Sequence, residues 1–229
     1  MAPDSVHSSG SGALAVSACD EDLLFSRIAE DLITKSWSVI PNALPSALCA
    51  LLAGQLKVSD GADFSAAGIG RGSMHTLKPA VRRDEIRWIE GATTAERAWL
   101  DWSRRLQSTL NRRLYLGLFS FESHFAHYRP GAFYRKHVDA FKAAPVQDDT
   151  STSGSNRVLS LVAYFNSHWQ PDDGGELVLY DAQGDTEIIR VIPELGTLVI
   201  FLSEEVPHEV LPTQRDRYSI AGWYRVNQS

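Results

Sequence analysis

Apolar residues recur four apart between Glu21 and Lys35, where Leu24, Ile28 and Leu32 form one face of a predicted helix. A second helix is predicted over about 45–57, with Pro45 suited to its first turn and Leu48, Leu51, Leu52 and Leu56 supplying apolar positions. A third starts near Thr93, because Thr93 and Glu96 have the spacing of a capping box, and it runs on through Trp99, Leu106 and Leu110. From Tyr115 the texture changes. Short β-prone runs appear at roughly 117–128, 132–139, 157–166, 176–181, 186–191, 197–202, 207–211 and 217–226. Pro130-Gly131, Gly174-Gly175 and Gly184-Asp185 punctuate them. Helices followed by about eight short strands predict a mainly β fold, a jelly roll braced by N-terminal helices.

Two further segments read as loops: 60–80, rich in Gly, Ala and Ser, and 140–156, polar and poor in β-formers. The second directly follows a candidate metal ligand, which suits a lid or binding loop. Residues 1–18, rich in Ser, Gly and Ala, are expected to form a flexible tail. The rest is expected to be one domain over 19–229, with helical support over about 19–114 and a jelly-roll core over about 115–226.

Composition narrows the function classes. Hydrophobic residues make up 44% of the 229 residues and charged residues 22%, as in an ordinary globular domain. A net charge of −6 disfavours tracking a phosphate backbone, so no nucleic-acid partner is expected. No apolar run is long enough to cross a bilayer, and the N-terminus lacks the pattern of a secretory signal. Cys19 and Cys49 fall outside any metal-ligand spacing. These features predict a cytoplasmic protein without a membrane association. With no heptad or exposed apolar run, a monomer is expected.

The candidate chemistry begins at His137-Val138-Asp139. Residues two apart on a strand share a face, so His137 and Asp139 converge. His208, on a distant strand, supplies a third donor. Two imidazoles and one carboxylate on one side of a metal leave the other positions open, as nonheme iron(II) oxygenases require. A zinc hydrolase would accept the same donors. Nine residues after His208 comes Arg217, in Arg217-Tyr-Ser219-Ile-Ala221-Gly-Trp223. Alternation puts Arg217, Ser219, Ala221 and Trp223 on one face. A guanidinium turned into a β-sandwich needs an anion, and the distal carboxylate of 2-oxoglutarate is one its planar fork can hold.

The pattern His137-X-Asp139, His208 and Arg217 resembles the 2-oxoglutarate- and Fe(II)-dependent oxygenase superfamily, and most closely the protein prolyl 4-hydroxylases. The similarity includes the hypoxia-inducible-factor hydroxylases of animals and their bacterial relatives. It runs from about Trp37 to Trp223. It is carried by Arg82-Arg-Asp84-Glu-Ile-Arg-Trp88-Ile-Glu-Gly91, Tyr128-Arg-Pro-Gly131, His137-Val-Asp139, residues 157–166, Gly174-Gly175, and His208-Glu-Val through Trp223.

The resemblance implies a double-stranded β-helix with His137, Asp139 and His208 as iron ligands. It implies that Arg217 and Tyr164 hold the distal carboxylate of 2-oxoglutarate, with Tyr128 directed at the cosubstrate. Arg157 and Trp223 match positions that hold a peptide or close the pocket, and Arg82 and Asp84 belong to a substrate-gripping finger. Tyr164 is expected to share a pocket face with Val158, Ser160 and Val162. Two residues depart from the pattern: Ala221 stands where animal relatives carry a hydroxyl residue, and His124 stands where an apolar residue is expected, as pocket wall rather than ligand. The implied activity is hydroxylation of a prolyl residue in a protein or peptide, a translation factor being one candidate, with release of succinate and CO2 and with ascorbate as a possible reductant. The alternatives are an oxygenase acting on a free amino acid or small metabolite, and a β-barrel sensor or binding domain without turnover.

Overall fold

Three helices begin the chain: α1 (Ala18–Lys35), α2 (Ser46–Val58) and α3 (Thr94–Leu114). The computed structural model describes residues 18–58, 64–67, 80–140 and 156–227. The expected tail, apart from Ala18, and most of the two expected loops lie outside the described residues. All three predicted helices form. At the start of α3 the Thr93 hydroxyl accepts from the Glu96 amide at 3.1 Å, the first half of a capping box. Glu96 does not complete the box. Its carboxylate accepts instead from the amides of Gly91 and Ala92 and from Arg87 and Gln55, so it ties the preceding strand and α2 to the start of α3.

The eight strands read from the sequence all form: β4 (Leu118–Tyr128), β5 (Tyr134–His137), β6 (Arg157–Tyr164), β7 (Leu177–Tyr180), β8 (Glu187–Val191), β9 (Leu198–Leu202), β10 (His208–Val210) and β11 (Arg217–Val226). Three more precede them, within the span expected to be helical support: β1 (Trp37–Ile40), β2 (Ser65–Ala66) and β3 (Glu85–Trp88). A seven-stranded antiparallel sheet runs β1-β9-β6-β11-β4-β3-β2, and a four-stranded one runs β5-β10-β7-β8. This is the two-sheet architecture of a double-stranded β-helix with flanking helices.

Alternation along the strands divides the buried residues into two cores. Leu159, Leu161, Ala163, Leu198, Ile200, Ile220 and Tyr224 face Trp99, Trp102, Leu106 and Leu110 of α3 and the apolar faces of α1 and α2. The opposite face meets the minor sheet around Tyr128, Tyr164, Val199, Phe201, Leu177, Leu179 and Val210. The helical layer covers one face of the major sheet, and the space between the two sheets holds the polar site.

Candidate active site

Strand β5 ends at His137, and Asp139 lies in a bend just beyond it, so simple alternation does not place the carboxylate. What turns it inward is the Ser203 carbonyl, which accepts from the amides of Asp139 and Ala140 at 3.2 Å each. His208 opens β10 and pairs across the sheet with His137. The result brings all three predicted ligands together, with donor atoms within 4.8 Å of one another. Nε2 of His137 lies 3.6 Å from Asp139 Oδ1, and Nε2 of His208 lies 3.6 Å from Asp139 Oδ2.

The remaining atoms of the triad are already committed. Nδ1–H of His137 donates to the Arg135 carbonyl at 2.7 Å, and Nδ1–H of His208 donates to the Val206 carbonyl at 3.1 Å. Each bond fixes the tautomer that leaves an Nε2 lone pair facing the carboxylate. Burial, with His137 alongside, pushes the His208 pKa down to about 4, so the ring is neutral and ready to ligate. Burial alone would raise the Asp139 carboxyl, but His208, His137 and the Ser160 hydroxyl hold it well below the usual carboxylate range. Two imidazoles and one carboxylate, with 3.6 Å gaps too long for hydrogen bonds, fit a divalent metal such as Fe(II).

Arg217 enters the space between the sheets at the start of β11 and is 1% exposed. Its Nε donates to the Gly175 carbonyl at 2.7 Å and its Nη1 to Ser219 at 3.3 Å. Among the described residues no acidic side chain lies within ion-pair distance of it. The rings of Tyr128 and Tyr164 flank the guanidinium at 4.8 and 5.0 Å. The Tyr164 hydroxyl is fully buried and has no hydrogen-bond partner of acceptable geometry among the described residues. Burial pushes its pKa up to about 12, against the pull of Arg217, so it stays a neutral donor. Such a buried cation, without an acidic partner among the described residues and beside an unsatisfied hydroxyl, fits a carboxylate.

Ser160, Val162 and Tyr164 line this side as expected. Val158 does not: it packs toward the helical core, because a register irregularity beside Arg225 breaks the alternation there. Ser219, two residues before Ala221 on the same strand, supplies a hydroxyl that accepts from Arg217.

The residues at the pocket mouth also converge. Arg157 stacks 3.7 Å over the Trp223 ring while its Nε and Nη2 bond Glu122. Trp223 packs on His124, which meets Trp88 edge-on. His124 is therefore wall, outside the three-residue metal group. Arg82 makes a two-pronged bond to the buried Asp84 and stacks over the Tyr134 ring at 4.4 Å.

Tyr134 and Ser203 escaped the sequence reading, and so did the bond from Ser160 to Asp139. Tyr134 stacks on His137 with ring centroids 3.6 Å apart. Its three-residue offset predicts opposite faces, but the β5–β10 pairing sets Tyr134–His137 against only His208–Val210, and the bulge brings both rings to one side.

Comparisons with known proteins agree with this site. The family profile of the 2OG-Fe(II) oxygenase superfamily matches residues 123–225, which include all three metal ligands and Arg217. The chain is 38% identical to a Pseudomonas putida prolyl-4-hydroxylase of known structure, covering 89% of this chain and 100% of that one with a TM-score of 0.74. A Trichoplax adhaerens prolyl hydroxylase, solved with a hypoxia-inducible-factor peptide fragment, is 25% identical over 90% of this chain and 91% of that one, with a TM-score of 0.77. A Caenorhabditis elegans hypoxia-inducible factor prolyl hydroxylase is 36% identical over 96 residues, 41% of this chain and only 12% of that protein. The chain thus spans a small part of the longer animal proteins it matches. With the donor set, the anion site and full-length similarity in agreement, the chain belongs to the 2OG-Fe(II) oxygenase superfamily and is closely related to the prolyl 4-hydroxylases.

Proposed function

We propose that this protein hydroxylates a prolyl residue in a protein or peptide substrate, with Fe(II) and 2-oxoglutarate and with release of succinate and CO2. The observation that carries the reaction class is the buried Arg217, without an acidic partner among the described residues, between the same two sheets as the triad. The prolyl assignment is supported by the full-length similarity to a prolyl-4-hydroxylase and by the neighbour that was solved with a peptide. The buried, unpaired Cys49 is in keeping with a cytoplasmic setting.

Iron and cosubstrate together supply the oxidising power when bound. The protein's own residues arrange everything else. His137, Asp139 and His208 hold the metal from one side. Arg217 and the neutral Tyr164 hydroxyl fix the far carboxylate, and the Tyr128 ring packs on the same guanidinium. Trp88, His124 and Trp223 form an aromatic wall at the mouth that excludes water from the reacting atoms. Arg157, and Arg82 held by the buried Asp84, offer fixed cationic groups to an extended chain beside that wall.

The test treats a cell lysate with wild-type protein or with Asp139→Ala, then compares peptides by mass spectrometry. Prolyl peptides gaining one oxygen with the wild type alone are expected. Oxygen gained only on other residues or on small metabolites would refute the substrate assignment.

A further inference from the structure

The two histidines of the triad are each locked by a hydrogen bond to a backbone carbonyl, but Asp139, in a bend past the strand end, has no such backbone lock on its side chain. Its Oδ2 instead accepts from the Ser160 hydroxyl at 2.7 Å. Ser160 lies on β6, opposite Phe201 on one side and Trp223 on the other, and is 2% exposed. Behind it, at 2.9 Å, stands the hydroxyl of Ser203, which is completely buried.

The direction of this chain follows from proton counting. An ionised carboxylate only accepts, so the single Ser160 proton goes to Asp139. The contact between the serines must then run from the Ser203 hydroxyl to the Ser160 oxygen. Ser203 is also the residue whose carbonyl holds the Asp139 and Ala140 amides, and its own amide donates to the Val158 carbonyl at 3.0 Å. One serine thus anchors both the backbone and, through its neighbour, the side chain of the acidic ligand.

We propose that Ser160, backed by Ser203, is a positioning residue that keeps Asp139 a one-oxygen ligand. This rests on the metal centre argued above. With Oδ2 engaged by the hydroxyl, Oδ1 is the oxygen free to meet the metal. A carboxylate bound through one oxygen occupies one position instead of two, which leaves an octahedral metal three open places for cosubstrate and dioxygen. Groups that orient metal ligands in this way are typically worth roughly 10- to 100-fold in metal affinity or activity.

The experiment uses Mn(II), which needs no reductant, and Co(II), whose visible bands report coordination. Titration of the full chain should show Ser160→Ala binding Mn(II) about 10- to 100-fold more weakly than wild type. Its Co(II) bands should change in position and intensity, and Ser160→Thr, which keeps the hydroxyl, should restore both readouts. Ser203→Ala should shift Mn(II) affinity in the same direction by less. If Ser160→Ala loses its metal-free thermal transition, Ser203→Ala carries the test alone. Wild-type Mn(II) affinity and Co(II) bands in the alanine variant that folds would overturn the role of the serines. Failure of the wild-type protein to bind either metal would instead overturn the metal centre, and this proposal with it.

Discussion

One histidine–carboxylate cluster sits on the helical side of the major sheet and the other, the triad at β5 and β10, lies between the sheets, and they differ in what their nitrogens have left to give. On the helical side, His127 Nε2–H donates to Asp216 at 2.7 Å, and Nδ1 faces Glu85 at 3.5 Å. Tyr218 stacks on the ring at 4.5 Å, and Arg129 pairs with Glu85 at 3.0 Å. One imidazole between two acids is a closed arrangement. One step along each strand, Tyr128 and Arg217 turn into the space between the sheets, where two imidazoles share one acid and keep both Nε2 lone pairs unspent. Residue types alone do not distinguish the clusters. The ratio of donors to acids does, together with the backbone carbonyls that have already taken the Nδ1 protons.

The most severe way to break the comparison is Asp139→Ala, which leaves the inner cluster with imidazoles alone. Iron-dependent succinate formation should fall to the no-enzyme background; near-normal succinate from that variant would sink the metal assignment. Next comes Arg217→Ala, which spares the triad but removes the cation at the far end. A hydrogen-bonded charge contributes about 1.5–3 kcal/mol. The Kd for 2-oxoglutarate should therefore rise roughly 10- to 150-fold, while Mn(II) affinity measured without cosubstrate stays put.

A smaller effect concerns His124, which belongs to neither cluster. Burial, partly offset by Asp84, pushes its pKa down to about 4 from an ordinary value of 6.5. The unfolded chain therefore takes up this proton first as pH falls, and the folded state loses stability between about 6.5 and about 4, with no contribution above that window. Up to about 3 kcal/mol is at stake for such a shift. Thermal melts of the metal-free protein should show a shallower acid decline in His124→Phe than in wild type; identical slopes would show that the ring titrates freely. Least disruptive is Asp216→Ala, which leaves a buried His127 nitrogen without its acceptor. A loss of about 1 kcal/mol, or about 2–4 °C in Tm, is expected. The fall should be the same with and without Mn(II), since the outer cluster holds no metal.

The β core was legible because its turns are chemically marked: Pro130-Gly131, Gly174-Gly175 and Gly184-Asp185 separate runs of β-branched and aromatic residues. Strands β1 and β3 were not. Trp37–Ile40 is four residues between two helices, and Glu85–Trp88 is four residues with charges, Glu85 and Arg87, along one face, so neither run stands out as a β-prone stretch. The three ligands and Arg217 could be found because their residue types and order match a known donor pattern and their charges demand partners, although Asp139 reaches the site from a bend rather than by strand alternation. The roles of Ser160 and Ser203 beside Asp139 could not, although Ser160 was placed on the pocket face. The two serines lie 43 residues apart, and nothing in a serine's identity predicts that its hydroxyl will meet a carboxylate across a sheet. Tyr134 was hidden by a bulge, which alternation alone does not anticipate.

Gly175 carries a last consequence. Its φ is +68°, its carbonyl holds Arg217 Nε, and a Cβ built on it would lie 3.0 Å from the Arg217 Cδ and from Thr213. The far wall of the cosubstrate pocket is thus backbone pressed directly against the arginine stem. A wall made of side chains can be deepened or narrowed by swapping one residue for another, but a wall of main chain cannot. Evolution or engineering can reshape the aromatic mouth, where substrates differ, far more readily than this end. Under the function proposed above, this end is a fixed gauge for one diacid joined to an adjustable opening, and altering cosubstrate choice means moving the main chain at Gly175.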